Sequence, residues 1–144
     1  MIILDTHLWI GYIDDPTSLP KPALDVIRGG REPIGISSIS VWELFMLERR
    51  GRLELRIPAG QWVAKCERLS LFHFVPVDNT IAQLAVELPE PIHGDPADRI
   101  IIATALSLGA TLITKDRKIL SYPHVRLSGL QPPDPVRVQR PPVA

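Results

Sequence analysis

The sequence has a single cysteine, Cys66, among 144 residues. One thiol excludes an intrachain disulfide and a metal site built from several thiolates. Because Cys66 lies within the predicted helix QWVAKCERL, we expect it to pack in the interior. Long apolar segments are also lacking, since the uncharged run from Ile100 to Ile113 is shorter than the roughly 20 residues that cross a bilayer. The N-terminal MIILDTHLW carries no cationic leader, so no secretory signal is evident and a cytoplasmic protein without a membrane partner is expected.

An excess of charge of either sign is missing as well. The 16 basic and 16 acidic residues balance, which excludes a surface that holds nucleic acid by overall positive charge. It does not exclude an enzyme that contacts a few phosphates through local arginines. With 45% apolar and 22% charged residues, the composition is typical of a soluble globular chain, and the length suits one domain with a substantial core.

Short apolar runs alternate with amphipathic segments along the chain. The runs MIIL, PIGIS, FHFVPV, TLIT and VRL predict strands. Helices are predicted in THLWIGYI, KPALDVIRGG, SSISVWELFMLERRG, PAGQWVAKCERLS, DNTIAQLAVEL and DPADRIIIATALSLG, with a helical turn in KDRKILSY. This alternation across short loops predicts an α/β domain with a parallel sheet. We place the domain at residues 1–130 and expect a proline-rich tail at 131–144, extended or disordered.

Acidic residues follow two of the predicted strands. Asp5 comes after MIIL and Asp116 after TLIT. The carboxyl ends of parallel strands share one edge of the sheet, where ligands bind. Each of these acids also precedes a predicted helix, so helix capping is the alternative interpretation. Asp95, followed by Pro96, matches a helix N-cap in the same way.

Two other acids lie on helices among apolar neighbours. Asp98 has Ile101 and Ile102 three and four residues later, which places it at the top of a buried face. The helical neighbours of Glu43 are Ile39, Ser40, Met46 and Leu47. Neither acid has an obvious local cationic partner, so surface ion pairing explains neither of them.

These four acids, Asp5, Glu43, Asp98 and Asp116, are expected to meet around a cation. Two carboxylates about 4 Å apart repel by roughly 4 kcal/mol at an effective dielectric constant near 20. Four together require protons or a cation at neutral pH. All-oxygen ligands favour Mg²⁺ or Mn²⁺ over zinc. Such an ion takes further ligands from phosphate, so the pattern indicates phosphoryl-transfer chemistry.

Four motifs appear in a fixed order: LDTH at 4–7, SSISVWEL at 37–44, DPADR at 95–99 and TKD at 114–116. Together they resemble the PIN-domain ribonucleases, specifically the VapC-type toxins of bacterial toxin–antitoxin pairs, over residues 1 to about 127. The resemblance implies a three-layer domain with a central parallel sheet flanked by helices. It implies endonucleolytic RNA cleavage with Mg²⁺ or Mn²⁺ held by the four acids. We therefore expect a ribonuclease selective for single strands that works by metal-assisted hydrolysis, with Asp98 or Asp116 helping to take the proton of water.

The resemblance also implies partners and supporting residues. VapC-like proteins form homodimers and are silenced by a VapB-like antitoxin whose C-terminal segment fills a groove. Thr6 and Thr114 are candidates to orient carboxylates or waters, and Asp95 is a candidate to join through a water. Arg99, Lys115 and Arg117 are candidates to contact RNA phosphate, since basic residues near the acids favour an RNA backbone.

Other basic and aromatic residues allow more than one interpretation. The basic run ERRGRLELR fits a solvated helix end as well as it fits an RNA contact. Trp9, Trp42 and Trp62 lie in helical segments with apolar neighbours and are predicted mostly as core, although Trp9 or Trp42 would suit a groove for a partner.

Two functions of other classes fit parts of the sequence. A phosphate-accepting receiver domain also gathers acids at a sheet edge, with Asp78 as its acceptor at the end of FHFVPV. It requires that strand to be central in the sheet and gives Glu43 no role. The second is a catalytically silent PIN-like binding module, in which the acids only cap helices.

Overall fold

A parallel sheet forms the centre of the computed structural model, which describes residues 1–92, 94–125 and 127–128. Five strands lie in the order β3-β2-β1-β4-β5, and every pairing is parallel. The strands are β1 (Ile2–Leu4), β2 (Ile34–Ser37), β3 (Phe72–Val75), β4 (Thr111–Ile113) and β5 (Leu127–Ser128). The predicted strands and α/β class are confirmed, whereas the tail and its boundary lie outside the described residues.

Helices connect the strands where the sequence predicts them. They are α1 (Thr6–Asp14), α2 (Lys21–Arg28), α3 (Ser38–Arg49), α4 (Ala59–Arg68), α5 (Asn79–Glu87), α6 (Pro96–Leu108) and α7 (Arg117–Leu120). A 3₁₀ turn at Pro16–Ser18, which the sequence did not predict, follows α1 and is capped by the Asp15 side chain. Helix α6 ends at Gly109, whose φ of 60° is the left-handed conformation that terminates helices.

The two faces of the sheet bury separate cores, because side chains alternate along each strand. On β1, Leu4 packs with Leu8, Leu44 and other residues of α1–α4. Ile3 points to the opposite face and joins a core with residues of α6 and α7, such as Ile101, and α5 packs beside α6. The domain is therefore three-layered, as the resemblance implied. No helix of the described residues is long and apolar enough to cross a membrane.

The three tryptophans do not share one environment. Trp9 is 0% exposed and meets the buried Trp62 ring edge-on at 5.1 Å, so the groove interpretation is wrong for Trp9. Trp42 is 54% exposed, so the core interpretation is wrong for Trp42. The reason is helical geometry: Ser40 and Leu44 face the core, and a residue two positions from each points away from it. Cys66 is buried, as predicted.

Candidate active site

The site begins at the carboxyl ends of β1 and β4. These strands are neighbours at the point where the sheet reverses its order of strands, with β2 and β3 on one side and β5 on the other. A crevice at such a switch point is where open α/β sheets bind ligands. The amide of Asp5 donates to the carbonyl of Ile113 at 3.0 Å, which extends the β1–β4 pairing to the acid itself.

Asp5 is held by two threonines. Its Oδ2 accepts a hydrogen bond from the Thr114 hydroxyl at 2.7 Å, and its Oδ1 accepts one from the Thr6 amide at 2.7 Å. Thr114 Oγ1 also accepts a hydrogen bond from the Asp116 amide at 3.0 Å. One fully buried hydroxyl thus links the acid after β1 to the acid after β4.

The Asp5 carboxyl lies in a strongly desolvated position. It is only 4% exposed, and burial raises its pKa above the usual value. The hydrogen bonds from Thr114 and Thr6 and the nearby His7 oppose this rise, and the charge of Asp116 adds to it. The ionised form is therefore tolerated only with donors or a positive charge nearby.

Glu43, on α3, lies close enough to Asp5 for the two charges to interact. Its side chain is half-buried, and burial raises its pKa, an effect that the nearby Thr6 side chain partly opposes. The charges of Asp5 and Asp95 raise this pKa further. Acids from the end of β1 and from the start of α6 thus act on the Glu43 carboxyl of α3.

Ser40 supports this arrangement, although the sequence did not single it out. It is buried on α3 and accepts a hydrogen bond from the Thr6 hydroxyl at 2.7 Å. The bond ties the first turn of α1 to the turn of α3 that carries Glu43. The available signal was the spacing, because Ser40 lies three residues before Glu43 and hence on the same helix face.

Asp95 and Asp98 lie together at the start of α6. Asp95 is the N-cap, and its Oδ1 accepts a hydrogen bond from the Asp98 amide at 3.0 Å. Asp98 is half-buried in the first turn, on a helix that packs against α3 and β1. The elements that carry Asp98, Glu43 and Asp5 are therefore packed together.

Helix capping accounts for part of the acidic pattern. Asp5, Asp95 and Asp116 each accept a hydrogen bond from an amide of the helix that follows. Asp116 accepts two, from Lys118 and Ile119. The predicted caps are present, and each uses one oxygen, Oδ1, of the acid. Glu43 lies inside α3, where capping does not apply.

The side chains available as metal ligands suit a hard divalent ion. All candidate ligands are carboxylate oxygens, and neither Asp5 nor Glu43 forms an ion pair with a lysine or arginine of the described part of the chain. Within the same residues no three His, Cys, Asp or Glu side chains form a ready-made metal cage. Mg²⁺ commonly binds one or two carboxylates and retains several waters, so such a cage is not required.

The basic candidates occupy two kinds of position. Lys115 and Arg117 are exposed on either side of Asp116. Arg99 instead donates from Nε to the carbonyl of Ala85 and from a terminal nitrogen to that of Val86, both at 2.9 Å. Its guanidinium thus binds the last turn of α5, a structural role that the sequence did not suggest.

The receiver-domain alternative is wrong. Its acceptor candidate, Asp78, follows β3, which is an edge strand of the sheet. The Asp78 side chain accepts a hydrogen bond from the Ile81 amide and is the N-cap of α5. A central position, which the receiver mechanism requires, is taken by β1.

Comparison with known proteins gives the same family as the motifs. The family model for the PIN domain matches residues 2–125. Ribonuclease VapC22 of Mycobacterium tuberculosis is 35% identical over 126 residues, which cover 87% of this chain and 94% of the relative.

Solved structures have the same fold. VapBC2 from Rickettsia felis, bound to a DNA fragment of its promoter, superposes with a TM-score of 0.64 at 23% identity and covers 89% of this chain and 98% of that one. VapC20 of Mycobacterium tuberculosis, described as a sarcin–ricin loop cleaving toxin, has a TM-score of 0.60 at 15% identity, with 84% and 94% covered. The family match, the ribonuclease relative and the shared architecture agree: the chain belongs to the PIN domain family.

Proposed function

We propose that this chain is a metal-dependent endoribonuclease that acts as the toxin of a toxin–antitoxin pair, with Asp5, Glu43, Asp98 and Asp116 as its catalytic, metal-binding residues. The observation that carries the proposal is the arrangement at the switch point of the sheet, where the Thr114 hydroxyl bonds the Asp5 carboxylate and the Asp116 amide. The charge of Asp5 also raises the pKa of Glu43. The 35% identity to a ribonuclease supports it.

The proposed cofactor is Mg²⁺ or Mn²⁺. The ion supplies the acidification of a bound water and neutralises charge on the phosphate oxygens. Holding that ion is the task of the four acids. The Thr114 hydroxyl and the Thr6 amide fix the orientation of the Asp5 carboxylate, and the Asp95 side chain fixes the first turn of α6, which carries Asp98.

Substrate contact is proposed for the exposed cations next to this edge. Lys115 and Arg117 flank Asp116 and are free of ion pairs with described residues, so they are placed to contact RNA phosphates. Arg99 is a weaker candidate, because an RNA contact through the same guanidinium nitrogens competes with its bonds to α5.

The proposed partners are RNA, a VapB-like antitoxin and a second copy of this chain, in a cytoplasmic setting. The antitoxin is suggested by the Rickettsia felis structure, which is a VapBC2 complex. The homodimer stays a prediction. Light scattering on the purified chain measures it directly, and a mass of one 16.0 kDa chain contradicts it.

The decisive experiment is RNA cleavage by the purified protein with and without Mg²⁺ or Mn²⁺. Asp5→Asn and Asp98→Asn should each reduce cleavage at least a hundredfold, because each removes a charged ligand. Asp25→Asn is the matched control, since Asp25 is exposed and forms an ion pair with the exposed Lys21, a contact that contributes little to stability. Circular dichroism checks that every variant is folded. If Asp5→Asn cleaves as fast as Asp25→Asn, the assignment of the site is wrong.

Titration calorimetry with Mn²⁺ tests the alternative of a catalytically silent module. Acids that only cap helices should bind no ion at micromolar concentration. The proposed site should bind one, and Asp5→Asn should weaken that binding.

A further inference from the structure

A groove of about 270 Å³ opens beside the acids, between α3 and the first turn of α6. Glu43, Met46, Leu47 and Arg50 line it from α3, and their spacing of three, four and seven residues places them along one face of the helix. Arg50 lies about 10 Å along the helix axis from Glu43. The groove therefore leads from the proposed catalytic acids to a cationic end.

An exposed tryptophan forms part of its wall. Trp42 lines the groove and is 54% exposed. Phe45, on the same helix, is 43% exposed but does not line the groove. A large flat ring beside the acids offers a face on which a nucleic-acid base can stack.

The cationic end is not neutralised by nearby acids. Arg50 and Arg52 both line the groove and are exposed, and neither forms an ion pair with another residue of the described ranges. In order from the acids, the groove thus presents carboxylates, apolar and aromatic groups, and guanidinium groups. This order matches a nucleotide chain whose scissile phosphate lies at the acids, followed by a base and another phosphate.

We infer that Trp42 stacks on an unpaired base next to the scissile phosphate and that Arg50 and Arg52 bind the adjoining backbone, so that this groove selects single-stranded RNA. The inference rests on the proposed ribonuclease function and adds the determinant of strand selectivity. Bases in a duplex are already stacked on each other and leave no free face, whereas unpaired bases stack on aromatic side chains. A peptide of a partner protein is the competing occupant, and loss of that partner without loss of RNA binding would identify it.

Binding is measured with a fluorescein-labelled single-stranded oligonucleotide and Mg²⁺ in the Asp98→Asn background, which keeps the RNA intact. Trp42→Ala should weaken binding by about 5- to 150-fold, the range for loss of one base–aromatic stack. Trp42→Phe should retain affinity within about threefold. Phe45→Ala is the matched control and should change nothing. A duplex of the same sequence should bind equally to Trp42→Ala and to its parent.

Two further readouts do not depend on cleavage. Because Trp9 and Trp62 are buried, quenching of intrinsic fluorescence by RNA should come from Trp42 and disappear in Trp42→Phe. The logarithm of the RNA association constant falls linearly with the logarithm of the salt concentration. Arg50→Gln should make this slope shallower by about 0.7 for the phosphate contact that is lost. Arg49→Gln, an exposed neighbour outside the groove, should leave it unchanged.

The outcomes separate this inference from the proposed function. Equal RNA affinity of Trp42→Ala and Phe45→Ala, with unquenched fluorescence, overturns the inference even if the native chain cleaves RNA. A native chain that quenches on RNA but never cleaves it overturns the function and supports the binding groove. If Trp42→Ala binds RNA normally but loses a partner protein, the occupant is a peptide and the inference is wrong.

Discussion

The buried hydroxyl of Thr114 allows a quantitative test of how the acidic site is held together. Replacement by valine keeps the volume and removes two hydrogen bonds, one donated to the Asp5 carboxylate at 2.7 Å and one accepted from the Asp116 amide at 3.0 Å. The bond to an ionised group contributes about 1.5–3 kcal/mol and the other about 0.5–1.5. The extra buried methyl group of valine stabilises the folded chain by about 0.8 kcal/mol. Thr114→Val should therefore lower the free energy of unfolding by about 1–4 kcal/mol at a pH above the pKa of Asp5.

The effect should depend on pH in a defined direction. The Thr114 hydrogen bond lowers an Asp5 pKa that burial raises, so its loss raises that pKa further. Below the pKa of Asp5 the carboxyl is protonated in both proteins, and the substitution removes only hydrogen bonds of a neutral group. Above that pKa it removes a bond to the charged form. The destabilisation by Thr114→Val should thus grow as pH rises through the pKa of Asp5.

Urea denaturation followed by tryptophan fluorescence, in buffer with a chelator, measures this difference. Thr104→Val is the matched control, because Thr104 is equally buried but its hydroxyl donates to the Ile100 carbonyl within its own helix. That carbonyl already accepts the amide of the helix, so the control should lose at most about 1 kcal/mol. Thr114→Ser keeps the hydroxyl and should retain the pH dependence of the native chain. Unfolding free energies that are equal for Thr114→Val and Thr104→Val across a pH titration would refute the reasoning.

Two more predictions follow from ionisable groups. Burial raises the pKa of both Asp5 and Glu43, so the metal-free protein should lose stability as pH rises through these values, and Glu43→Gln should lose less. Urea titrations at several pH values with chelator measure this, and a Glu43→Gln profile parallel to that of the native chain would contradict it. Burial raises the pKa of the Cys66 thiol to about 11, so a thiol reagent at pH 8 should label Cys66 only in denaturant. Rapid labelling of the folded chain would show that the thiol is accessible.

The strands and helices were predictable because their signals are local. Strands such as MIIL are continuously apolar because both faces of the parallel sheet are covered. Asp95 followed by Pro96 marked the start of α6, and Gly109 marked its end. Such signals depend on neighbours within a few residues, and they survive in the folded chain.

Contacts between distant segments were not predictable in this way. Trp42 has apolar neighbours in sequence, yet the rotation of α3 that buries Leu44 turns Trp42 outward. Arg99 stands beside a candidate catalytic acid, but its guanidinium binds the last turn of α5. No pattern in the sequence announces the bond from Thr114 to Asp5, because 109 residues separate the two.

The sequence by itself determined the order of strands and helices, the family and the four acids worth testing, because periodicity, capping residues and motif order are properties of the chain. The tertiary structure alone decided that β1 lies beside β4. As a result, the Thr114 hydroxyl bonds both the Asp5 carboxylate and the Asp116 amide. It also decided which tryptophan faces solvent next to Glu43. The physical reason is that burial and charge coupling arise between segments far apart in sequence, and they exist only once the sheet has set its strand order.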